Sequence, residues 1–233
     1  MRIVSSPRLS RLWLALMLAS GLLISTPAWW GYAAPLEARH RLAQNDLEAR
    51  SQQIDELYEQ GRYEEAIPLA ERRVEIVEVQ LGPEHMAVAT SLNNLAELYR
   101  LQGRYEEAEP LYQRSLGILE EQLGPEHPDV AGSLNNLAAL YELQGRYEEA
   151  EPLYQRSLAI SEEQLGPEHP SVAGSLNNLA VLYELQGRYE EAEPLYQRSL
   201  RIWEERLGPE HPNTVTTREN LETLQQAIEG GEG

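Results

Sequence analysis

Along this chain apolar residues return at helical spacing in two alternating stretches, and the pair of stretches repeats every 42 residues. Within the copy from His127 to Leu165, Leu134, Leu137, Ala138 and Tyr141 fall at i, i+3, i+4 and i+7, which predicts one buried stripe on a first helix. Pro128 suits the first helical position, where a missing N–H costs nothing. Gly145 reads as a left-handed stop, and a second helix is expected from about Tyr147, with Ala150, Leu153, Tyr154, Leu158 and Ile160 on its apolar face. Gly166-Pro167 ends it. Pro152, like Pro110 and Pro194, lies just past the first turn, where it predicts a small, repeated kink.

The string Leu-Gly-Pro-Glu-His starts at Leu81, Leu123, Leu165 and Leu207, and residues 124–165 and 166–207 differ at five positions only. Those are Asp129/Ser171, Ala139/Val181, Ala159/Arg201, Ser161/Trp203 and Gln164/Arg206. A fixed period of this size marks a stacked-repeat protein, whose core forms between neighbouring copies. The expected array covers residues 46–228, as repeats at about 46–81, 82–123, 124–165 and 166–207 plus a capping helix at 212–228. The first copy is degenerate, with Ser51-Gln52-Gln53 where the others carry Leu-Asn-Asn, and terminal repeats are expected to be atypical. Four hairpins and a cap predict nine helices and an all-α chain, followed by a disordered tail at 229–233. Any function must then come from a repeated surface, which disfavours an enzyme.

Charge narrows the partners. A formal net charge of −19, with Arg as the only basic residue type besides His, makes nucleic acid and anionic lipid poor partners and basic or polar protein segments better ones. With no Cys, disulfides, thiol catalysis and cysteine metal sites are excluded. At the N-terminus, Arg2, Arg8 and Arg11 precede an apolar run from Leu12 to Ile24 and the small residues Ala28, Ala33 and Ala34. That layout predicts a signal peptide over residues 1–33, cleaved after Ala33 or Ala28, then a linker at 34–45 and a secreted or periplasmic array. A retained membrane anchor is the alternative, because Trp29 and Trp30 extend the segment toward a span.

The run Asn136-Leu137-Ala138-x-Leu140-Tyr141, followed by Gly145-x-Tyr147-x-x-Ala150, Tyr154 and Ser157-Leu158, resembles the tetratricopeptide repeat. The Leu-Asn-Asn-Leu-Ala, Gly-Arg-Tyr-Glu-Glu-Ala and Leu-Gly-Pro-Glu-His-Pro phrases are similar to its kinesin-light-chain-like branch. The resemblance implies a right-handed superhelix of antiparallel helix pairs, an α-solenoid, whose first helices line a concave groove for peptides or partner proteins. No cofactor is expected.

About 100° per residue places Gly132, Asn136, Ala139 and Leu143 opposite the core stripe, with Asn135 at the margin. Stacking would turn these into rows, Asn94, Asn136, Asn178 and Asn220 beside Asn93, Asn135 and Asn177. Amides in a row can bind the main chain of an extended peptide whatever its side chains, and Gly132 and Gly174 would leave room. The alternative is that one Asn per repeat bridges adjacent first helices. The varying position Glu97/Ala139/Val181, near Arg100/Glu142/Glu184, suits either selective reading of a ligand or neutral drift. Trp203 is expected to pack against the cap.

His85, His127, His169 and His211 sit one per repeat, too far apart to share a metal ion, and read as connectors. The pairs Glu106/Glu107, Glu148/Glu149 and Glu190/Glu191 read as helix-starting charges. The expected function is a non-catalytic scaffold that holds a protein or peptide segment. The alternative is an envelope element that assembles by end-to-end stacking of its near-identical copies.

Overall fold

The computed structural model describes residues 49–231, so the expected leader and linker lie outside the described residues. Helix α1 is described over residues 49–59. There follow α2 (Tyr63–Leu81), α3 (Met86–Leu101), α4 (Tyr105–Leu123), α5 (Pro128–Leu143), α6 (Tyr147–Leu165), α7 (Pro170–Leu185), α8 (Tyr189–Leu207) and α9 (Pro212–Glu229). No strand occurs among the described residues, and none of their helices is long and apolar enough to cross a membrane. Odd-numbered helices are the first of each pair and even-numbered ones the second. From α2 onward each packs on the next in the chain, and α5 also touches α7 directly.

Local chemistry fixes each boundary. At the end of α5 Gly145 takes φ +73°, the Arg146 amide donates to the Tyr141 carbonyl at 2.8 Å, and the Gly145 amide donates to Glu142 at 2.9 Å. This crossed pair satisfies two carbonyls that a helix end would otherwise orphan, and it turns the chain sharply into α6. Gly103 and Gly187 make the same turn at φ +71° and +72°. At the opposite end the histidines do more than connect. His85, His127, His169 and His211 are N-caps, each accepting from the amide two residues ahead at 3.1–3.2 Å through Nδ1. Pro128, Pro170 and Pro212 come next, where no donor is needed. Pro68, Pro110, Pro152 and Pro194 lie inside the second helices, which continue through them.

One hydrophobic cluster runs from Ile54 to Leu224 through every hairpin, so each repeat buries its stripe against the next. Tyr112, Tyr154 and Tyr196 are its largest fully buried side chains. Polar staples recur with the same period. Ser115, Ser157 and Ser199 donate to the carbonyls of Ala89, Ala131 and Ala173 at 2.7–2.8 Å, joining the two helices of a pair. Between pairs, Arg146 holds Glu109 of the preceding hairpin at 2.7 Å and places its guanidinium 4.0 Å above the Tyr141 ring. Arg188 repeats this with Glu151 and Tyr183, at 2.7 and 3.9 Å. Such pairs are screened by water and add modestly to stability, but their geometry sets how one hairpin sits on the next.

Candidate functional site: the first-helix face

Successive first helices leave hollows between them. The first, about 490 Å³, lies between α1, α3 and α5 and is lined by Asp55, Tyr58, Asn93, Asn94, Asn136 and Ala139 among others. A second, about 500 Å³, lies between α5 and α7 and reaches α9, lined in part by Gly132, Asn135, Ser161, Gly174, Asn178 and Trp203. A smaller one, about 190 Å³, contains Asn177, Asn178 and Thr217. Thus six of the asparagines expected to form rows border hollows on one face, joined by Ala139. Val181 is half-buried and packs on the core, and Asn220 is half-buried; neither borders these hollows.

The asparagines divide into two kinds. Asn93, Asn135 and Asn177 carry bonds between neighbouring first helices: Asn136 Nδ2 donates to Asn93 Oδ1 at 2.9 Å, Asn135 Nδ2 donates to Ser175 Oγ at 3.1 Å, and Thr217 Oγ1 donates to Asn177 Oδ1 at 3.1 Å. Asn94, Asn178 and Asn220 make no side-chain hydrogen bond with any described residue. Bridging and display are therefore both present, on adjacent positions of one turn.

Hydroxyl chemistry extends the bridge around Asn135. The single hydrogen of Ser157 is committed to the Ala131 carbonyl, so in its 3.4 Å contact with Ser157 the Ser175 hydroxyl must donate, and it accepts from Asn135 in turn. The chain of donors runs one way, from Asn135 Nδ2 through Ser175 and Ser157 to the Ala131 carbonyl, and it leaves Asn135 Oδ1 buried without a partner. Ser133 Oγ is likewise buried without a partner, because Asn93 pairs with Asn136 and not with Ser133, the counterpart of Ser175.

The variable charged positions share one structural task. Buried Tyr112 donates its hydroxyl to Glu97 at 2.7 Å, whereas Tyr154 donates to Glu142 at 3.1 Å and Tyr196 to Glu184 at 2.8 Å. The carboxylate has moved three residues along the first helix and still meets the same tyrosine, which is why Ala139 and Val181 could lose it. Glu97 is neutralised by Arg100 at 2.5 Å. Glu142 and Glu184 have no cation within ion-pair distance among the described residues, and burial raises the Glu142 carboxyl above its ordinary value despite the Tyr154 hydrogen bond. Burial also pushes the Tyr154 hydroxyl up, helped by the neighbouring Glu142 charge, so it stays a donor. The Tyr99 hydroxyl, half-buried and 2.6 Å from Glu71, is pushed up to about 12.

Trp203 is 7% exposed and packs with Val172, Ala173, Leu176 and Ile202, bordering the α7–α9 hollow beside Asn213. Ser161 is the residue that sequence reasoning passed over. Its column reads Val77, Leu119, Ser161, Trp203, and that break in size was the available signal. No group of three or more His, Cys, Asp or Glu side chains among the described residues is placed to hold a metal ion.

The arrangement offers hydrogen-bond donors and acceptors on a shallow face. The tetratricopeptide repeat family profile matches residues 55–121, 88–163, 129–205 and 171–230. Two crystal structures of a putative kinesin light chain with nearly identical tetratricopeptide-like repeats from Podosopora anserina are 30% identical in sequence; the first, a Q17M form, covers 79% of this chain and 87% of its own with a TM-score of 0.68, and the second covers 79% and 88% with 0.67. BtubC, also called BKLC, from P. vanneervenii is 27% identical, covers 82% of this chain and 79% of its own, and superposes with a TM-score of 0.71. No curated protein matches the chain significantly. The α-hairpins, their caps and the repeat signature converge: the chain belongs to the tetratricopeptide repeat family, with kinesin light chain-like repeats, an all-α solenoid of a kind that serves generally as a scaffold for protein interactions.

Proposed function

We propose that this protein is a non-catalytic scaffold that holds an extended protein segment along the face made by α3, α5, α7 and α9. The observation that carries the reading is the division of the asparagines. Asn93, Asn135, Asn136 and Asn177 lock neighbouring first helices together, while Asn94 and Asn178 border the hollows with their amides uncommitted. An uncommitted amide offers two donors and an acceptor, which is what an extended main chain requires. Leaving such groups to water costs little, whereas a partner that pairs with them gains register without demanding a particular side chain.

Charge points to a basic or polar partner. The chain carries −19 overall, and Asp55, Glu97 and Asp129 border the hollows against one arginine, Arg100. A positively charged segment is drawn to such a face at a faster rate and with a salt dependence that an uncharged one lacks. The N-terminal segment, Arg2 to Ala34, adds the proposal that the scaffold works outside the cytoplasm. The intact mass of the exported protein tests this, since retention of the leader would contradict it.

The groove reading is tested by the double variant Asn94→Ala/Asn178→Ala. It should keep the helical content and melting of the parent and lose capture of the physiological partner. Capture at parental affinity would refute the groove.

A further inference from the structure

One difference between copies of the repeat opens space in the packing, at the hollow between α5 and α7. In the preceding hairpin Leu119 packs against the cluster of Val130, Ala131, Leu134 and Ile160, and in the last hairpin Trp203 packs with Val172, Ala173, Leu176 and Ile202. Ser161 stands at the same position between them and fills nothing, and the volume its side chain leaves is part of the 500 Å³ hollow. That size falls among clefts of about 300–1,000 Å³ that hold small ligands.

Two further observations show that the space is kept open. Gly132 and Gly174 lie inside helices, yet a Cβ at Gly132 would meet nothing within 4 Å, and at Gly174 only the Trp203 ring at 3.9 Å, an ordinary contact. A glycine inside a helix costs about 1 kcal/mol relative to alanine. Nothing in the chain's own packing requires that cost here. Ser161 itself is 2% exposed and borders the hollow, and its hydroxyl makes no hydrogen bond with any described residue; beside it Asn135 Oδ1, which also lines the hollow, is buried without a partner.

What would fill the hollow follows from its lining. The lining mixes apolar surface from the Trp203 indole, Leu165, Pro170 and the two glycines with the polar side chains of Asn135, Ser161 and Asn178 and the carboxylate of Asp129. Asp129 is the only charged residue there. The positive ends of α5 and α7 are muted, because Pro128 and Pro170 have no N–H and the next amide is taken by His127 or His169. The fold shows elsewhere which side chain completes an aromatic, a carboxylate and an amide: Arg146 lies over Tyr141 while holding Glu109, Glu149 and the Gln144 carbonyl. The same kinds of group line the hollow at Ser161 with no arginine among them, the Asp129 carboxylate lying 3.7 Å from His127 Nδ1.

We propose that the hollow at Ser161 is a side-chain subsite for an arginine of the bound partner segment, its alkyl stem between Gly132 and Gly174 and its guanidinium toward Ser161, Asn178 and Asp129. The subsite rests on the groove reading, and it adds to that reading a fixed point of register. Elsewhere the face reads main chain; here it reads one residue.

The test is a nuclear magnetic resonance titration of the full chain with short Gly/Ser peptides that differ only in a central Arg, Lys, norleucine, Tyr or Glu. The Arg peptide should bind roughly tenfold tighter than the norleucine or Glu peptide, the margin of one charge-assisted hydrogen bond. Lysine should fall between, because it lacks the planar fork. The amides of Gly132 and Gly174 and the indole N–H of Trp203 should shift. Ser161→Leu, which installs the residue already tolerated at position 119, should abolish the Arg preference while residual binding of all peptides and the melting temperature persist. Asp129→Asn should weaken the preference. Equal binding of all five peptides with shifts at Asn94 and Asn178 alone would overturn the subsite and leave the groove standing. A preference for Tyr or norleucine would overturn the arginine assignment. Absence of any shift on the first-helix face would overturn both.

Discussion

Asn136 donates its side-chain amide to Asn93 across 2.9 Å, joining two first helices through residues 43 apart in sequence. The neighbouring Asn178, equivalent to Asn136 one repeat later, makes no such bond. Two asparagines identical in motif thus differ in task. Replacing Asn136 by Ala should lower the unfolding free energy by about 1 kcal/mol, the usual net worth of one hydrogen bond. Asn178→Ala should stay within about 0.5 kcal/mol of the parent. Urea unfolding followed by circular dichroism compares them, and equal losses would remove the distinction.

The histidine caps give a second expectation. His127 Nδ1 accepts from the Asp129 amide at 3.1 Å, so His127→Ala should cost about 1 kcal/mol and His127→Asp, which restores an acceptor at that place, should recover most of it. Thermal melts of the three proteins decide. Equal melting of the Ala and Asp variants would show that the ring serves by packing.

Glu142 carries the clearest pH dependence. Its carboxyl is held above its ordinary value by burial, so the folded state binds its proton more readily than the unfolded chain does. The unfavourable contribution of ionised Glu142 is therefore fully present above the raised folded value and fades as pH falls through it toward the unfolded value. Glu65, Glu149, Glu168 and Glu191 are lowered by their arginine partners and shift stability the opposite way, so the parent's overall profile mixes both signs. The difference between parent and Glu142→Gln isolates the site. The variant should be at least as stable near neutral pH, and its advantage should shrink in mild acid. An advantage that grows in acid would contradict the assignment.

Tyr154 is 1% exposed and donates to Glu142, so Tyr154→Phe removes a donor and leaves a half-buried carboxylate less well satisfied. A loss of about 1–3 kcal/mol is expected in the parent. In a Glu142→Ala background the same substitution should cost much less, and a double-mutant cycle by urea unfolding measures the coupling. No coupling would mean that the tyrosine matters for its ring alone.

Helix positions were legible because the 3.6-residue stripe, Gly145 and Pro128 each mark a boundary with their own chemistry. The histidine caps were not, since Ser, Thr, Asp and Asn are the usual residues there and a ring nitrogen two residues from an amide leaves no periodic trace. The faces of Asn93, Asn94 and their successors could be read from the turn angle. Which of them bridges could not, because the partner lies 40–43 residues away and depends on how far one hairpin is staggered on the next. Glu97 and Glu142 looked like freely varying neighbours for the same reason: the buried tyrosine that both serve becomes visible only when the two helices of a hairpin are packed. Ser161 read as one difference among five between near-identical copies, and only the packing of Leu119 shows it as a missing wall.

The central claim is that partners lie along the first helices. Site-specific photo-crosslinking of the full chain in its native extract tests this most directly, with a photoreactive residue placed in turn at Asn94, Asn178, Glu121 and Glu163. The last two are exposed positions on the second helices α4 and α6. One partner segment should be joined from positions 94 and 178 and not from 121 or 163. Adducts that form only from 121 and 163, with none from the asparagines, would contradict the account.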